Sequence, residues 1–422
     1  MSIPTLEDVL QDIEKVLASQ IDISYEDLTL GEYKKLGGRF DGRTLRKLGG
    51  FTKIIELMKN PKEIGDLATP RYVAHKSAYV HKLEKKIGDQ EASQQEFLES
   101  FKKILEESPP TIISKLNKPK LPNRGPSERA NCCFLSDTHF GLEVDKEEVL
   151  TNKYNWEIAA GRLGHLAEQL SEYKIQHRNE CDTLHIFLGG DIIQGVIYCD
   201  SDAGTDLAVD QFNGAVRYLT QFIDYQRNFY DKIIVHGVAG NHERIVTKSK
   251  GAERTTANKH DNFSIMIYLA LQAAFRNIPD VIINVYKAPI AIFDVLGHTY
   301  GLSHSDTHIF SGNVGSSINI NNITDQVLKL NQVQTLDALL LAHIHTPLYM
   351  SAIPSTHTSL IINGSLIGTD GYSSSKGYFL SSVEQTIWEV TRDVAVGDYR
   401  AIFLDQYEPH HLDIIKPYNY KY

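Results

Sequence analysis

The sequence predicts an α/β domain from residue 131 onward, preceded by a small all-α domain at the N-terminal end. Three observations predict this arrangement. After residue 131, hydrophobic runs of strand length alternate with helix-length segments. A polar motif follows each of five such runs. A proline-rich stretch separates this part of the chain from the helical segments before it.

Residues 1–65 are predicted to form a compact, helix-turn-helix-like domain that binds DNA. Residues 1–28 are acidic, whereas residues 29–60 hold eight Lys and Arg against three Asp and Glu, with apolar residues at helical spacing between two Gly-Gly pairs. A basic helical face suits phosphates, and a basic bundle that docks on protein is the alternative. The segment also resembles the small helical repeats attached to homing endonucleases. The expected DNA-binding residues are Lys35, Arg39, Arg43, Arg46 and Lys47.

The next two segments are expected to connect the domains. Residues 66–108 contain two helix-length stretches with little turn chemistry inside them, which predicts a helical hairpin or arm. Residues 109–130 contain five prolines and are expected to be an extended linker. Residues 131–422 then form the α/β domain.

Within that domain the runs CCFL, LHIFL, IIVHGV, TYGL and ALLL are predicted to be short buried strands. Helices are expected over residues 156–175, 206–230 and 262–275. Nearer the C-terminal end, SLIINGSLIG and YRAIFLDQ are predicted to add further strands.

Five polar motifs stand where these runs end: SDTHF, GGDIIQG, AGNHE, LSHSD and AHIHT. Carboxylate oxygens and neutral imidazole nitrogens together suit Mn²⁺, Fe²⁺ or Zn²⁺. Two such ions about 3.5–4 Å apart can share a hydroxide and hold a phosphoryl group for in-line attack, with one carboxylate bridging them. The motifs therefore predict a two-metal centre at the strand ends.

In this order the motifs resemble those of the calcineurin-like metallophosphoesterase family. The resemblance implies a two-sheet αββα sandwich, a bridging and catalytic role for Asp191, and a catalytic role for His242 at the leaving-group oxygen. It implies two divalent ions, with Mn²⁺ expected and Fe²⁺, Zn²⁺ or Mg²⁺ as alternatives. Ala342 departs from the glycine that usually begins the last motif. The implied metal ligands are Asp137, His139 and His345 on one ion, Asn241, His304 and His343 on the other, and Asp191 on both.

The remaining histidines are expected to be structural. His308 is the rival of His304, because both lie in LSHSDTHIF. His304 is preferred, because it ends the strand and precedes Ser305 and Asp306. The histidines assigned to surface or core positions are His165, His185, His236, His298 and His308.

The sequence favours a dimetal-dependent phosphodiesterase that cleaves DNA, as an endonuclease, nickase or exonuclease, and it resembles the SbcD-type nucleases. The alternative is a phosphatase or phosphodiesterase acting on nucleotides, phosphoproteins or other small phosphoesters. A binding protein on an inactive scaffold is the third hypothesis, but no ligand position is lost. The SbcD-type nucleases have a capping segment after the last histidine motif and contact an ATPase partner. Residues 346–422 leave little room for such a segment, so an ATPase partner is not expected. Basic residues expected to contact substrate are Arg244, Lys248 and Arg254.

Composition places few further limits on function. The net charge of −10 argues against binding of a polyanion over the whole surface of the protein. DNA is expected as a partner because of the basic segment at residues 29–60. No apolar run is long enough for a membrane span and the N-terminal residues do not form a signal peptide, so a cytoplasmic protein without a membrane partner is expected. The four cysteines are expected to be buried thiols, and a homodimer is left open.

Overall fold

The computed structural model describes residues 6–18, 30–36, 39–40, 45, 51–52, 54–55, 128–145, 149, 152–176, 181–196, 206–245, 261–306, 318–375, 377 and 382–419. The predicted arm at residues 66–108 and most of the predicted linker lie outside these ranges. The chain divides into two compact units, one holding the N-terminal helices and the other holding the two sheets.

The N-terminal unit contains helices α1 (Leu6–Ala18) and α2 (Leu30–Lys35). Apolar residues recur every three or four positions along α1, which places them on one face of the helix. That face packs against Tyr33 of α2, whose hydroxyl donates to the buried carboxylate of Asp12. The helix at α2 agrees with the short helices predicted for residues 29–60.

The larger unit contains two sheets. The first has six strands in the order β11-β10-β1-β2-β3-β4. Strands β1 to β4 are parallel, whereas β10 is antiparallel to β1 and β11 is antiparallel to β10. The strands are β1 (Arg129–Leu135), β2 (Thr183–Leu188), β3 (Lys232–Val238), β4 (Val281–Tyr286), β10 (Glu384–Thr391) and β11 (Gly397–Phe403).

The second sheet has five strands in the order β5-β6-β7-β9-β8. Strands β6, β7 and β9 are parallel, and the two edge strands run antiparallel to their neighbours. The strands are β5 (Ala291–Val295), β6 (His298–Ser303), β7 (Ala338–Leu341), β8 (Leu348–Met350) and β9 (Ser359–Ile362).

Helices cover the outer face of each sheet. Helices α3, α4 and α5 share a hydrophobic core with the six-stranded sheet, and α6 shares one with the five-stranded sheet. Two shorter helices, α7 and α8, follow β9 and β11 along the chain. The helices are α3 (Trp156–Gln176), α4 (Ala208–Gln226), α5 (Phe263–Phe275), α6 (Ile320–Leu330), α7 (Gly371–Ser375) and α8 (His411–Ile414).

The inner faces of the two sheets pack on each other. Alternate residues of β1 point in opposite directions, so that Cys133 and Leu135 face the helices while Cys132 and Phe134 face the second sheet. This alternation gives one core on each side of the six-stranded sheet. The architecture is therefore the two-sheet αββα sandwich that the sequence predicts.

The predicted elements of this unit are confirmed, and seven further elements are present. The five predicted runs form β1, β2, β3, β6 and β7, and the three predicted helices form α3, α4 and α5. The two predicted C-terminal strands correspond to β9 and β11. The elements that were not predicted are β4, β5, β8, β10, α6, α7 and α8. Three of the cysteines, Cys132, Cys133 and Cys181, are buried free thiols, and Cys199 lies outside the described residues.

His185 and His236 lie between the two sheets in a column of stacked rings. His236 Nε2 lies 3.2 Å from His185 Nδ1, and His236 Nδ1 lies 3.1 Å from the Tyr286 hydroxyl. The His236 ring stacks 4.0 Å from that of Phe293 in the second sheet. Both histidines are buried, as expected of structural residues.

This column predicts a loss of stability in mild acid. Burial lowers the pKa of His185 to about 4, with Lys232 adding to the effect, and burial beside His185 lowers the pKa of His236 to about 3. The pKa of histidine in the unfolded chain is about 6.5, so below this pH the unfolded chain binds protons that the folded chain does not bind. Each histidine should therefore remove up to about 1.4 kcal/mol of unfolding free energy per pH unit between about pH 6 and pH 4. Urea unfolding of wild type and His236→Gln should show a shallower pH slope in the variant. Equal slopes would contradict the prediction.

In the described part of the chain, every helix is too short or too polar to cross a bilayer.

Candidate metal centre

The polar motifs meet at one end of the two sheets. Asp137 and Asp191 follow β1 and β2, and Asn241 follows β3. His304 follows β6 of the second sheet, and the AHIHT segment follows β7. Because parallel strands direct their carboxyl ends to the same edge, residues distant in sequence become neighbours there. The convergence expected from the sequence is found in the structure.

The backbone at these positions is unusual for residues other than glycine. Positive φ angles occur at five of the predicted ligands: Asp137 (52°), His139 (44°), Asp191 (49°), His343 (75°) and His345 (56°). Such a conformation is sparsely populated by residues with a Cβ and persists only where the surrounding fold enforces it. The loops therefore turn sharply after each strand, which directs the side chains inward.

One half of the centre is built around Asp137. Its carboxylate lies 3.1 Å from His345 Nε2 and accepts hydrogen bonds from the Ser136 hydroxyl (2.6 Å) and the His343 main-chain N–H (3.1 Å). One donor atom from each of Asp137, His139 and His345 lies within 4.8 Å of the other two. All three residues are buried.

The other half is built around His304. Its Nδ1 lies 2.8 Å from the Gly189 carbonyl, which can only accept, so this nitrogen carries a proton. Its Nε2 faces two acceptors, Asn241 Oδ1 at 2.9 Å and Asp191 Oδ2 at 3.1 Å. Asp191, His304 and His343 also bring one donor atom each within 4.8 Å of the others.

Asp191 belongs to both halves. Its Oδ1 accepts from the main-chain N–H groups of Asn241 (2.8 Å) and His242 (2.9 Å). Its Oδ2 is turned toward imidazoles, 3.1 Å from His304 Nε2 and 4.0 Å from the Nε2 atoms of His139 and His242. One carboxylate oxygen is thus held by the backbone while the other faces donors from several strands.

The donor atoms fit divalent cations. His139 Nδ1 lies 2.8 Å from Gln194 Oε1, an acceptor, so the lone pair is on Nε2. That buried Nε2 has no hydrogen-bond partner among the described residues, and the same is true of His343 Nδ1. Buried polar atoms rarely lack partners, and a cation would satisfy both of these. Buried carboxylates beside neutral imidazoles are also the donors that Mn²⁺, Fe²⁺ and Zn²⁺ accept.

The electrostatics agree with a site built for positive charge. Burial alone would lower the pKa of His304, but the Asp191 carboxylate and the hydrogen bond to it raise the pKa to about 9. Burial likewise opposes ionisation of Asp191, yet His304 and His242 hold its pKa well below the usual range. Burial lowers the pKa values of His139 and His343 to about 4, so both rings are neutral. The proton on His304 Nε2 therefore faces Asp191 Oδ2, where a cation could neutralise the carboxylate instead.

His242 borders the centre but is turned differently from the other histidines. Its Nδ1 lies 3.1 Å from the Gln194 carbonyl, and its Nε2 is 4.0 Å from Asp191 Oδ2. Its ring meets that of His139 edge to face at 4.5 Å. The side chain is 20% exposed, whereas the His304 side chain is fully buried. His242 and His343 are therefore the partly exposed histidines of the centre, whereas His139, His304 and His345 are buried.

Two residues that hold the centre were not singled out from the sequence. Gln194 contacts His139 through its amide oxygen and His242 through its carbonyl. Glu243 is buried and accepts from the main-chain N–H groups of Ile192 and Ile193. Burial, with Asp191 nearby, raises the pKa of Glu243 to about 8. In the sequence, Gln194 is the glutamine of the GGDIIQG motif and Glu243 is the glutamate of the AGNHE motif, and these motifs could have drawn attention to both residues.

Glycine at position 240 permits this close packing. A Cβ there would lie 2.2 Å from Asp191 Oδ1 and 2.5 Å from Glu243 Oε2, far inside van der Waals contact. The carboxylates of Asp191 and Glu243 therefore both lie against the backbone of Gly240. Any larger residue would displace Asp191.

The predicted substrate and DNA contacts are only partly described. Arg244 is buried, with 3% of its surface exposed, so it lines no open surface. The Arg39 side chain is 66% exposed and its Nε contacts the buried Asp12 carboxylate. Lys35 is in α2, but its side chain is outside the description. The predicted residues that lie outside the described ranges are Lys248, Arg254, Arg43, Arg46, Lys47 and the rival ligand His308.

Comparisons with known proteins give fold-level similarities only. No family model matches the chain, and no curated protein matches it. A dimetal phosphatase from Danio rerio is 11% identical over 65% of this chain and 99% of its own, with a TM-score of 0.33. Vps29 from Entamoeba histolytica, solved with zinc, is 10% identical over 65% and 99% of the two chains, with a TM-score of 0.26. A 5'-nucleotidase from Candida albicans is 12% identical over 70% and 54%, with a TM-score of 0.27. At such scores these similarities carry no weight, and the centre is defined by its own geometry.

Proposed function

We propose that this chain is a two-metal phosphoesterase whose substrate is DNA. The observation that carries the proposal is the convergence of imidazole, carboxylate and amide groups from five strand ends, most of them buried, around Asp191. Two divalent ions bound there would acidify a shared water and withdraw charge from a phosphoryl group. The ions that fit this donor set are Mn²⁺, Fe²⁺ and Zn²⁺.

The contacts described above support a division of the donors between two sites. Asp137, His139 and His345 would hold one ion, and Asn241, His304 and His343 would hold the other. Asp191 would serve both, since its Oδ2 faces His139 as well as His304. Gln194 fixes the ring of His139 through its amide oxygen, and a residue that holds a ligand in this way orients it and tunes the metal.

His242 would act on the substrate rather than on a metal. The main-chain carbonyl of Gln194 fixes its Nδ1, which leaves Nε2 directed at the centre. Because Nδ1 carries a proton toward that carbonyl, Nε2 donates a hydrogen bond or a proton to the oxygen that leaves phosphorus when the ring is an imidazolium. Its partial exposure supports this role, because a phosphoester could reach it from solvent.

The basic segment at residues 29–60 supports DNA as the substrate. Eight cations against three acids in this short stretch provide a local attraction for phosphates that the net charge of −10 does not show. Arg39, the one residue of the predicted DNA-binding set whose side chain is described in the N-terminal unit, is largely exposed. The overall acidity favours the second candidate, a phosphatase or phosphodiesterase for nucleotides or other small esters.

A substrate panel separates these two functions. Purified protein with Mn²⁺ would be offered single- and double-stranded DNA, RNA, cyclic nucleotides, bis(p-nitrophenyl) phosphate and p-nitrophenyl phosphate at one salt concentration. We expect DNA to be cleaved faster than the mononucleotide esters. Fast hydrolysis of small esters with intact DNA would favour the second candidate. Inactivity on every phosphoester would contradict both.

A charge-neutralising variant tests the role of the basic segment. Replacing Arg43, Arg46 and Lys47 with glutamine should weaken DNA cleavage and lower the slope of log rate against log salt, by up to about 0.9 for each phosphate that is no longer neutralised. Hydrolysis of bis(p-nitrophenyl) phosphate should be unchanged, because it needs only the metal centre.

The matched control neutralises three exposed lysines of the larger unit, Lys153, Lys329 and Lys416. It has the same net charge as the test variant. If both variants lower DNA cleavage equally, general charge rather than the basic segment attracts DNA. If neither does, the DNA-binding role of the segment is wrong.

A further inference from the structure

A second cluster of imidazole and carboxylate groups lies between helices α3 and α8. His165 and Glu168 are one helical turn apart on α3, so their side chains share a face. His410 and His411 stand at the start of α8. None of these residues belongs to the candidate metal centre, and together they offer four side chains with metal-binding chemistry.

The donor atoms of the cluster are already close together. His411 Nε2 lies 2.8 Å from Glu168 Oε2, and His410 Nε2 lies 3.1 Å from Glu168 Oε1. His165 Nδ1 lies 3.3 Å from His411 Nε2. One donor atom from each of His165, Glu168 and His411 lies within 4.8 Å of the other two.

One proton of His411 occupies the middle of this cluster. The main-chain N–H of Glu408 donates to His411 Nδ1 at 2.8 Å, so the proton of the neutral ring must be on Nε2. That N–H faces both a carboxylate oxygen of Glu168 and the Nδ1 of His165. Two lone pairs from α3 therefore converge on a single proton from α8.

We propose that this cluster is a structural site for a transition-metal ion of the Zn²⁺ class, in which the ion takes the place of that proton. Tetrahedral Zn²⁺ with bonds of about 2.0–2.1 Å requires ligand atoms about 3.3 Å apart. The separations of 2.8 Å between His411 Nε2 and Glu168 Oε2 and of 3.3 Å between His165 Nδ1 and His411 Nε2 are close to this value. His165, Glu168 and His411 supply three ligands, and His410 contacts the other oxygen of Glu168 beside them.

The protonation states and access suit an ion. Burial and the neighbouring His411 lower the pKa of His165, so its ring is neutral near pH 7. Burial opposes ionisation of Glu168, but the hydrogen bonds from His411 and His410 lower its pKa below the usual value. Metal ligands must be deprotonated in this way. The side chains of His410 (55%) and Glu168 (28%) are exposed enough to admit an ion from solvent.

Binding has one local cost and one consequence. When Nε2 of His411 binds the ion, the ring proton moves to Nδ1, and the hydrogen bond from the Glu408 N–H is broken. Since α8 is only four residues long, its first turn can adjust. The bound ion would fasten α8 to α3 by ligand bonds in place of hydrogen bonds.

The test counts Zn²⁺ in the full-length protein. Chelator-stripped protein is equilibrated with Zn²⁺ and desalted, and bound zinc per chain is measured together with the rise in Tm. Glu168→Gln should bind one ion fewer than wild type and lose part of the Zn²⁺-dependent rise in Tm. The control is Glu172→Gln, which removes the same charge from a carboxylate one turn further along α3 that contacts Gln169. This control should bind as many ions as wild type.

Repeating the count in an Asp191→Asn background separates the two sites. The loss of one ion on Glu168→Gln should persist there, because it does not depend on the candidate metal centre. If the loss disappears in that background, or if Glu168→Gln binds as much zinc as wild type, the proposal is wrong. His165→Ala, which keeps the contacts between Glu168 and α8, must also lose one ion. An unchanged count in that variant would overturn the proposal even if Glu168→Gln failed to fold.

Discussion

Replacing Asp191 with asparagine is expected to abolish phosphoester hydrolysis and to lower the content of divalent metal toward one ion or none. The variant keeps the shape of the side chain, and its amide oxygen can still accept from the main-chain N–H groups of Asn241 and His242. It loses the negative charge on Oδ2, the atom that faces His304 and His139. Removing a residue that only orients a ligand costs about 10–100-fold in affinity or activity, so removing a shared ligand should cost more.

The measurements are metal content after desalting and hydrolysis of bis(p-nitrophenyl) phosphate with Mn²⁺. Asp325→Asn is the matched control, because Asp325 is an exposed carboxylate on α6 and its loss gives the same change in charge. This control should retain two ions and full activity. If Asp191→Asn retained both ions and wild-type activity, Asp191 would not be the shared ligand.

Replacing His242 with alanine is expected to lower the rate by roughly 10²–10⁴ while the metal content stays at the wild-type value. The prediction rests on the orientation of this side chain, whose Nδ1 is fixed by the Gln194 carbonyl and whose Nε2 lies 4.0 Å from Asp191. If His242 protonates the leaving oxygen, the loss should depend on the leaving group. It should be large for DNA, which releases an alkoxide, and smaller for a p-nitrophenyl ester, whose leaving group is stable without a proton.

His298→Ala is a suitable control, since His298 is partly buried and its Nε2 contacts the Thr391 carbonyl. The rate and the metal content of this control should both match wild type. An ion lost on His242→Ala would make His242 a metal ligand. If His242→Ala lowers the rate equally for DNA and for the p-nitrophenyl ester, His242 acts in substrate binding rather than in proton transfer.

The parts of the candidate centre that follow hydrophobic strands could be predicted from the sequence. Asp137 and Asp191 each come just after a run that can only be a buried strand, and parallel strands bring such positions together. His304 could be placed at the end of β6 in the same way. Its position beside Asp191 was implied by the resemblance to the metallophosphoesterase family, because β6 and β2 belong to different sheets.

Contacts that depend on turn geometry could not be predicted. Gln194 reaches His139 because the backbone turns sharply at Asp191, where φ is 49°, and no periodic pattern encodes that turn. Nor could the cluster at His165 be predicted. Its partner His411 on α8 is 246 residues away, and nothing near His165 in sequence suggests more than a structural role.

Strand β10 was missed for a related reason, since EQTIWEVT mixes charged and apolar residues and does not look like a central strand. Its position nevertheless sets the order in which the protein can be completed during translation. Arg129 of β1 and Glu389 of β10 form an ion pair although they are 260 residues apart in the chain. At about 5–20 residues per second, a ribosome needs roughly 10–50 s to synthesise the chain between them. Throughout that interval one edge of the hydrophobic strand β1 has no partner, and unpaired edges of this kind invite aggregation. The edge of β1 that pairs with β10 therefore stays open to aggregation until β10 has been synthesised.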